Sequence, residues 1–229
     1  CSRHLYKFKD EYAKMPVDVQ KDEKKGLYYV QKEKKRLYFR KSTPAKKIQK
    51  YYRALSMEQD RRSPHHYFNS VKEVTGKVFV DVGCAEGYSS LEIIEEAKHV
   101  YLFEQDEQWL EAIRATFEPW QDKVTIVQKY VSDHNSSREQ TLDDFFNNQT
   151  NEHLFLKMDI EGAERHALAG CNNLFQNCQK LDFAICTYHL RDDEEVISAF
   201  LDKHNCTYIN QKGFFRHKIR SVVMRGSKK

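Results

Sequence analysis

The sequence predicts an α/β fold: a mainly parallel sheet covered by helices on both faces, finished by an antiparallel C-terminal hairpin and preceded by a basic hairpin-plus-helix extension. Three observations predict it. From Lys77 onward, apolar runs alternate with amphipathic stretches five times, which is the pattern of right-handed βαβ units. The last stretch, CTYINQKGFFRHKIRSVVMRG, holds two strand-like runs around Gly213 with no helix between them. Charge also divides the chain, with +11 on residues 1–68 and −7 on the remainder, so the two parts face different electrostatic surroundings. Residues 1–68 are read as the extension, a cap or an oligomer contact, and 69–229 as the α/β domain.

Residues 1–26 are polar and lysine-rich, without a clear pattern. In GLYYVQKEKKRLYFRK (26–41), two aromatic runs flank QKEKK, which predicts a β-hairpin with half-buried rings. TPAKKIQKYYRALSMEQ (43–59) predicts a helix with Thr43 as N-cap, Pro44 in the first turn, and Ile48, Tyr52, Leu55 and Met57 on one face. Pro64 in DRRSPHHYF breaks it. KVFVDVG and HVYLFEQ predict strands, each followed by a helix, YSSLEIIEEA and EQWLEAIRATFEPW. VTIVQKYVSD reads as one strand before the short helix TLDDFFNNQ, and HLFLKMDIEG as a strand before a single helix, AERHALAGCNNLF. LDFAICTYHL and DDEEVISAFLDKHN supply the fifth strand and helix.

With 40% apolar and 13% aromatic residues the chain can bury a core, which excludes global disorder. No run of about 18 apolar residues exists, so no membrane span is expected. The six cysteines form no C-x-x-C pair and no zinc spacing, which suits free thiols in a reducing cytoplasm. The chain opens on Cys1, not on methionine, and has no signal-peptide stretch. It is read as trimmed or as part of a longer protein.

In open α/β sheets, ligands sit beyond the carboxyl ends of the strands. Those ends carry Asp81, Gly83, Ala85, Glu86 and Gly87; Glu104, Gln105 and Asp106; Ser132 and Asp133; Asp159, Glu161 and Glu164; and Tyr188 and His189. Five successive strands thus end in polar or acidic groups. Glu104, 21 residues after Gly83, is placed to accept hydrogen bonds from both hydroxyls of a ribose. An adenosine-containing cofactor follows, and two are realistic. A nicotinamide dinucleotide needs a G-x-G-x-x-G turn, but Ala85 stands at its second glycine and Tyr88 at its third. The acidic neighbourhood of Asp81, Glu86 and Glu104 suits the cationic sulfonium of S-adenosylmethionine better than a diphosphate. On this reading Gly83 and Gly87 let the backbone approach the cofactor.

FVDVGCAEGYSS, VYLFEQD, YVSD, TLDDFF and LKMDIEGAERHALAG resemble, in order, the motifs of the FkbM-type S-adenosylmethionine-dependent methyltransferases. The resemblance covers roughly residues 60–190, and EQDRRSPHHYF resembles a lead-in segment of such enzymes. It implies a seven-stranded Rossmann-like class I methyltransferase sheet and O-methylation of a sugar or natural-product hydroxyl, as in polysaccharide biosynthesis. Ala85 departs from the glycine common there. Carried over, Asp81, Gly83 and Gly87 line the methionine end, Glu104 the ribose, and Ser132 with Asp133 the adenine edge.

Asp159 should face the transferred methyl group. His189 is the candidate general base, since an alcohol acceptor has a high pKa and gains about 10²–10⁴-fold from one. Glu161 and Glu164 are candidate ligands of sugar hydroxyls or, with Asp159 and His189, of a divalent cation; a helix N-terminus equally suits an acid at 164. His65, Tyr67 and Tyr188 are expected beside the acceptor, and Lys157 on the opposite side of its strand, paired with a carboxylate. Asp133 is open to a plainer reading as a turn residue. The lysine-rich front reads first as a solvated surface or homo-oligomer contact, second as attracting an anionic acceptor, and only third as binding RNA. Three rivals therefore stand beside the O-methyltransferase: a dinucleotide oxidoreductase, an RNA methyltransferase and a non-catalytic binding module.

Overall fold

The computed structural model describes residues 8–147, 152–215 and 218–228; Cys1 lies outside them. The chain opens with α1 (Lys9–Lys14), followed by a three-stranded antiparallel sheet of β1 (Val19–Asp22), β2 (Leu27–Lys32) and β3 (Lys35–Tyr38). The hairpin expected at 26–41 is there, but β1 and α1 arise in the stretch that shows no sequence pattern. β1 is half exposed and is defined by its pairing with β2, Val19 opposite Val30. Such a strand exists through its neighbour, not through its own periodicity.

Helix α2 (Ala45–Glu58) buries Ile48, Tyr52 and Met57. Pro44 is its N-cap, so the helix starts one residue later than expected and without a side-chain capping bond. The helix ends six residues before Pro64.

The main sheet then builds from β4 (Val78–Val82), α3 (Tyr88–Ile93), β5 (His99–Phe103), α4 (Glu107–Phe117) and β6 (Val124–Val127). Next come β7 (Tyr130–Val131), β8 (Glu139–Gln140), α5 (Leu142–Phe145), β9 (His153–Met158), α6 (Glu164–Ala169), α7 (Asn172–Asn177) and β10 (Lys180–Cys186). The chain closes with α8 (Asp193–Lys203), β11 (Thr207–Phe215) and β12 (Lys218–Lys228). The seven strands run in the order β11-β12-β10-β9-β4-β5-β6. β12 lies antiparallel between β10 and β11, while β10, β9, β4, β5 and β6 are mutually parallel. β4 is buried along its whole length, as a central parallel strand covered on both faces must be.

Three expectations change. VTIVQKYVSD is not one strand: it divides into β6 and β7, and β7 leaves the main sheet to pair with β8. AERHALAGCNNLF divides into α6 and α7 at Gly170, where a side chain would strike the Ser132 carbonyl. Gly213 makes no turn; it sits inside the β11–β12 ladder opposite Arg220, with the Pro64 ring against it.

One core joins the N-terminal elements to the sheet: Leu27, Leu37, Phe39 and Ile48 share a buried cluster with Phe79, Leu91 and Ile113. A second cluster, with Val80, Leu156, Phe175 and Ile197, fills the other face. Among the described residues no helix is long and apolar enough to cross a membrane.

Candidate functional site

A cleft of about 1020 Å³ opens along the carboxyl edge of β4, β5 and β9. Its floor starts at the β4–α3 turn. Gly83 (φ +78°) and Gly87 (φ +80°) hold left-handed conformations, which glycine adopts without strain. A Cβ on Gly83 would run into the Asp159 carbonyl, and one on Gly87 would come within 2.7 Å of the Phe117 ring. The two glycines are therefore required by contacts within the protein, independently of any cofactor. Ala85 also lies in the left-handed region, at φ +47°, so its methyl group carries strain that a glycine would not.

Asp81 is 1% exposed, accepting a 2.6 Å hydrogen bond from Ser90 Oγ and pairing with Lys157 Nζ at 2.8 Å. Lys157 also donates to the Gly83 carbonyl at 2.8 Å and lies on the cleft side of β9. The expected carboxylate partner is present, but the expected orientation away from the site is not. The register of β4 and β9 sets Asp81 directly beside Lys157, so the pair points the same way. Burial works against the Lys157 charge, but Asp81 and then Asp159 outweigh it and hold the pKa above the ordinary lysine value.

Glu104 sits just beyond β5 and accepts from the backbone N–H of Ala85 at 3.0 Å and of Asp106 at 2.8 Å. Those bonds fix its carboxylate at the cleft wall, and each oxygen keeps a lone pair. Gln105, Ser132 and Asp133 line the same end. Asp133, 42% exposed, pairs with His134 at 2.8 Å and His166 at 3.4 Å. Those hydrogen bonds, His134 first, lower its pKa.

At the other end, Tyr67 donates to Asp159 Oδ2 at 2.7 Å. Burial favours the neutral acid, yet Lys157, His65, the Tyr67 hydroxyl and His189 together lower the Asp159 pKa. His189 Nε2 lies 3.5 Å from Asp159 Oδ1 and 3.6 Å from Glu161 Oε2; its Nδ1 lies 2.9 Å from Glu164 Oε1. Burial opposes the imidazolium, but Glu164, then Asp159 and Glu161, raise its pKa. His65 and Tyr188 stack edge to face at 4.7 Å on the cleft wall. Glu161, with φ +56° and a 92% exposed side chain, stands at the rim.

Three sequence candidates do not reach the cleft surface. Gly87 is behind the turn. Glu164 is 0% exposed and its oxygens accept from Ile160 N (2.8 Å) and Gly162 N (3.0 Å), so it braces the Asp159–Gly162 loop and backs His189 instead of meeting substrate. His189 borders the cleft through Asp159, with 8% of its side chain exposed. Of the residues expected to hold a metal, Asp159 and His189 have ligand atoms within 4.8 Å of one another and of Glu164, while Glu161 belongs to no such group among the described residues; His65, Asp159 and Cys186 form a second group.

A family model, the methyltransferase FkbM domain, matches residues 43–209. The chain belongs to the FkbM methyltransferase family. The match begins within the basic front, well before the motifs that carried the resemblance. A crystal structure of methyltransferase FkbM from Methylobacillus flagellatus KT is 16% identical with a TM-score of 0.54, over 80% of this chain and 55% of that one. This chain therefore spans little more than half the length of that relative. Magnesium protoporphyrin IX methyltransferase from Synechocystis PCC 6803, solved with bound S-adenosylmethionine, is 12% identical with a TM-score of 0.50, over 82% and 86% of the two chains. Both share the class I methyltransferase fold. A search of curated sequences gave no match.

The FkbM domain's cleft also has a wall the sequence did not announce. Tyr51, Leu55 and Glu58 of α2 and Gln59 just after it line the cleft, and Tyr51 donates to Glu86 at 2.9 Å while stacking on Trp109. Residues 51, 55 and 58 share a helix face, so the signal was present but lay beside the stronger core face. Glu58 is raised to about 7 by burial and then by Asp159, Glu86 and Glu161; Glu86, 3% exposed, is raised to about 7 by burial. Nine carboxylates line the cleft against three Lys or Arg side chains, of which Arg40 and Lys157 are already paired with Asp106 and Asp81.

Proposed function

We propose that the chain is an S-adenosylmethionine-dependent O-methyltransferase acting on a sugar hydroxyl in a polysaccharide or natural-product pathway of the cytoplasm. The carrying observation is one cleft with two chemically distinct ends, Glu104 fixed at the first and the Asp159–His189 corner at the second. Asp81, Gly83, Ala85, Glu86 and Glu104 would hold the cofactor, with Gln105, Ser132 and Asp133 at the adenine. The acceptor would lie among His65, Tyr67, Tyr188, Asp159 and Glu161.

In the reaction the hydroxyl oxygen attacks the methyl carbon, the C–S electron pair passes to sulfur, and the hydroxyl proton leaves to a base. The Asp159–His189 pair activates the hydroxyl, and Glu58, a cleft carboxylate poised near neutrality, takes the proton. Alignment is the larger contribution, up to about 7–11 kcal/mol in favourable intramolecular cases.

The acid-rich lining favours a neutral polyhydroxyl acceptor over an anionic one or an RNA. Part of the basic front is spent within the chain: Lys25 pairs with Glu118, Lys32 with Glu92 and Arg40 with Asp106. Family membership favours adenosylmethionine over a dinucleotide. The five free cysteines among the described residues suit a reducing compartment.

Calorimetric titration with S-adenosylhomocysteine, with NAD as control, tests the cofactor. Binding is expected, about 10- to 100-fold weaker in Glu104→Ala from the loss of charged hydrogen bonds to the ribose. Turnover of sugar acceptors should fall in His189→Ala and Glu58→Gln while homocysteine-product affinity stays within about threefold. Binding of NAD alone would refute the reading.

A further inference from the structure

Lys157 and Asp81 form a buried ion pair on the cleft wall whose hydrogen-bonding capacity is not filled. Their side chains are 6% and 1% exposed, and Lys157 Nζ lies 2.8 Å from Asp81 Oδ1. That contact falls outside hydrogen-bond geometry, and Asp81 Oδ1 has no hydrogen-bond partner. Ser90 serves the other carboxylate oxygen, Oδ2. An ammonium has three protons to give. Lys157 donates one to the Gly83 carbonyl at 2.8 Å, and no other acceptor among the described residues takes a hydrogen bond from it. Buried polar atoms in native proteins are nearly always paired. An open acceptor beside an open cationic donor, both lining the cleft, therefore points to a ligand that carries both charges.

The rest of the lining narrows the choice. Nine carboxylates line the cleft, so an anionic group entering it is repelled unless it meets a cation. Three Lys or Arg side chains are there to be met. Arg40 pairs with Asp106 and covers the Trp109 ring, and Lys129, just before β7, donates to the Ser136 carbonyl and to Gln140. Lys157 alone of the three bonds the β4–α3 turn. With the ribose at Glu104 and the methyl group facing Asp159, the part of S-adenosylmethionine left to lie over that turn is its amino acid, which bears an ammonium and a carboxylate on one carbon. We infer that Lys157 recognises the α-carboxylate of the cofactor, while Asp81 Oδ1, already expected at the methionine end, accepts from the ammonium beside it. This deepens the adenosylmethionine reading and rests on it. Hydrogen bonds between charged groups are about twice as strong as neutral ones, and Asp81 balances the lysine, so the carboxylate is held without added net charge. The pair thus selects adenosyl compounds that keep the whole amino acid.

Calorimetric titration of the full chain compares S-adenosylhomocysteine with its decarboxylated analogue, which lacks only the carboxylate. The parent should prefer the intact ligand about 10- to 100-fold, and in Lys157→Met that preference should fall to about threefold or less. Glu104→Ala should weaken both ligands alike, since both carry the ribose, and keep the preference. A lysine that only supports the fold would weaken both ligands and leave the preference intact in Lys157→Met, which would overturn the assignment. Removing Lys157 leaves Asp81 buried without its countercharge. Where thermal melts show Lys157→Met unfolded, the double variant Asp81→Asn, Lys157→Met removes both charges and carries the comparison, because the ammonium is common to the two ligands. A parent that binds both ligands equally refutes the role of Lys157 alone; a parent that binds neither refutes the adenosylmethionine reading, and the inference with it.

Discussion

Glu86 shows how a single side chain couples this site to pH. It is 3% exposed, hydrogen-bonded by Tyr51, and its pKa rises from the ordinary 4.5 to about 7 because burial disfavours the charge. The folded chain therefore keeps a proton that the unfolded chain loses between about pH 4.5 and 7. Its contribution to stability is greatest below pH 4.5, falls as pH rises through that window, and is level above it. Glu86→Gln removes this slope and leaves the similar share of Glu58. Denaturant melts at pH 5 and pH 7.5 should show the variant gaining on the parent as pH rises; parallel curves would refute the assignment. The same residue was legible as a cofactor candidate from GCAEG, but its burial and its Tyr51 partner were not, because Tyr51 lies 35 residues away.

At the level of elements, the misreadings have local causes with distant origins. AERHALAGCNNLF has helical spacing throughout, yet Gly170 must pass against the Ser132 carbonyl, and the chain restarts as α7. That restart is capped from outside: Asp143 of α5 accepts from Asn173 N at 3.0 Å and Leu174 N at 2.7 Å. Asp143→Ala should cost about 1 kcal/mol, as the loss of an N-cap does, measured by urea denaturation; an unchanged midpoint would show the cap to be idle. α2 was correctly placed by its core face. Its second face, with Tyr51, Leu55 and Glu58, gains meaning only because β4 and β5 end beneath it.

Across the whole molecule, the basic front and the acidic remainder are parts of one folded body. Leu37 and Ile48 share a core with Phe79, and the Tyr38 N–H donates to Thr116 at 3.0 Å. We therefore expect one cooperative unfolding transition, and a chain cut to residues 69–229 should fail to give one and should not bind S-adenosylhomocysteine; a truncated chain that melts cooperatively would show 69–229 to be a domain by itself. By itself the sequence determined the alternation of strands and helices, the carboxyl edge as the candidate site, and the residues Asp81, Glu104, Asp159 and His189 as its candidates, because periodicity and strand ends are local properties of a chain. Only the tertiary structure decided that Lys157 turns toward Asp81, that Glu164 backs His189 instead of reaching substrate, and that α2 roofs the cleft. Each of those depends on which distant groups fill the space beside a side chain, and spacing along the sequence carries no record of that.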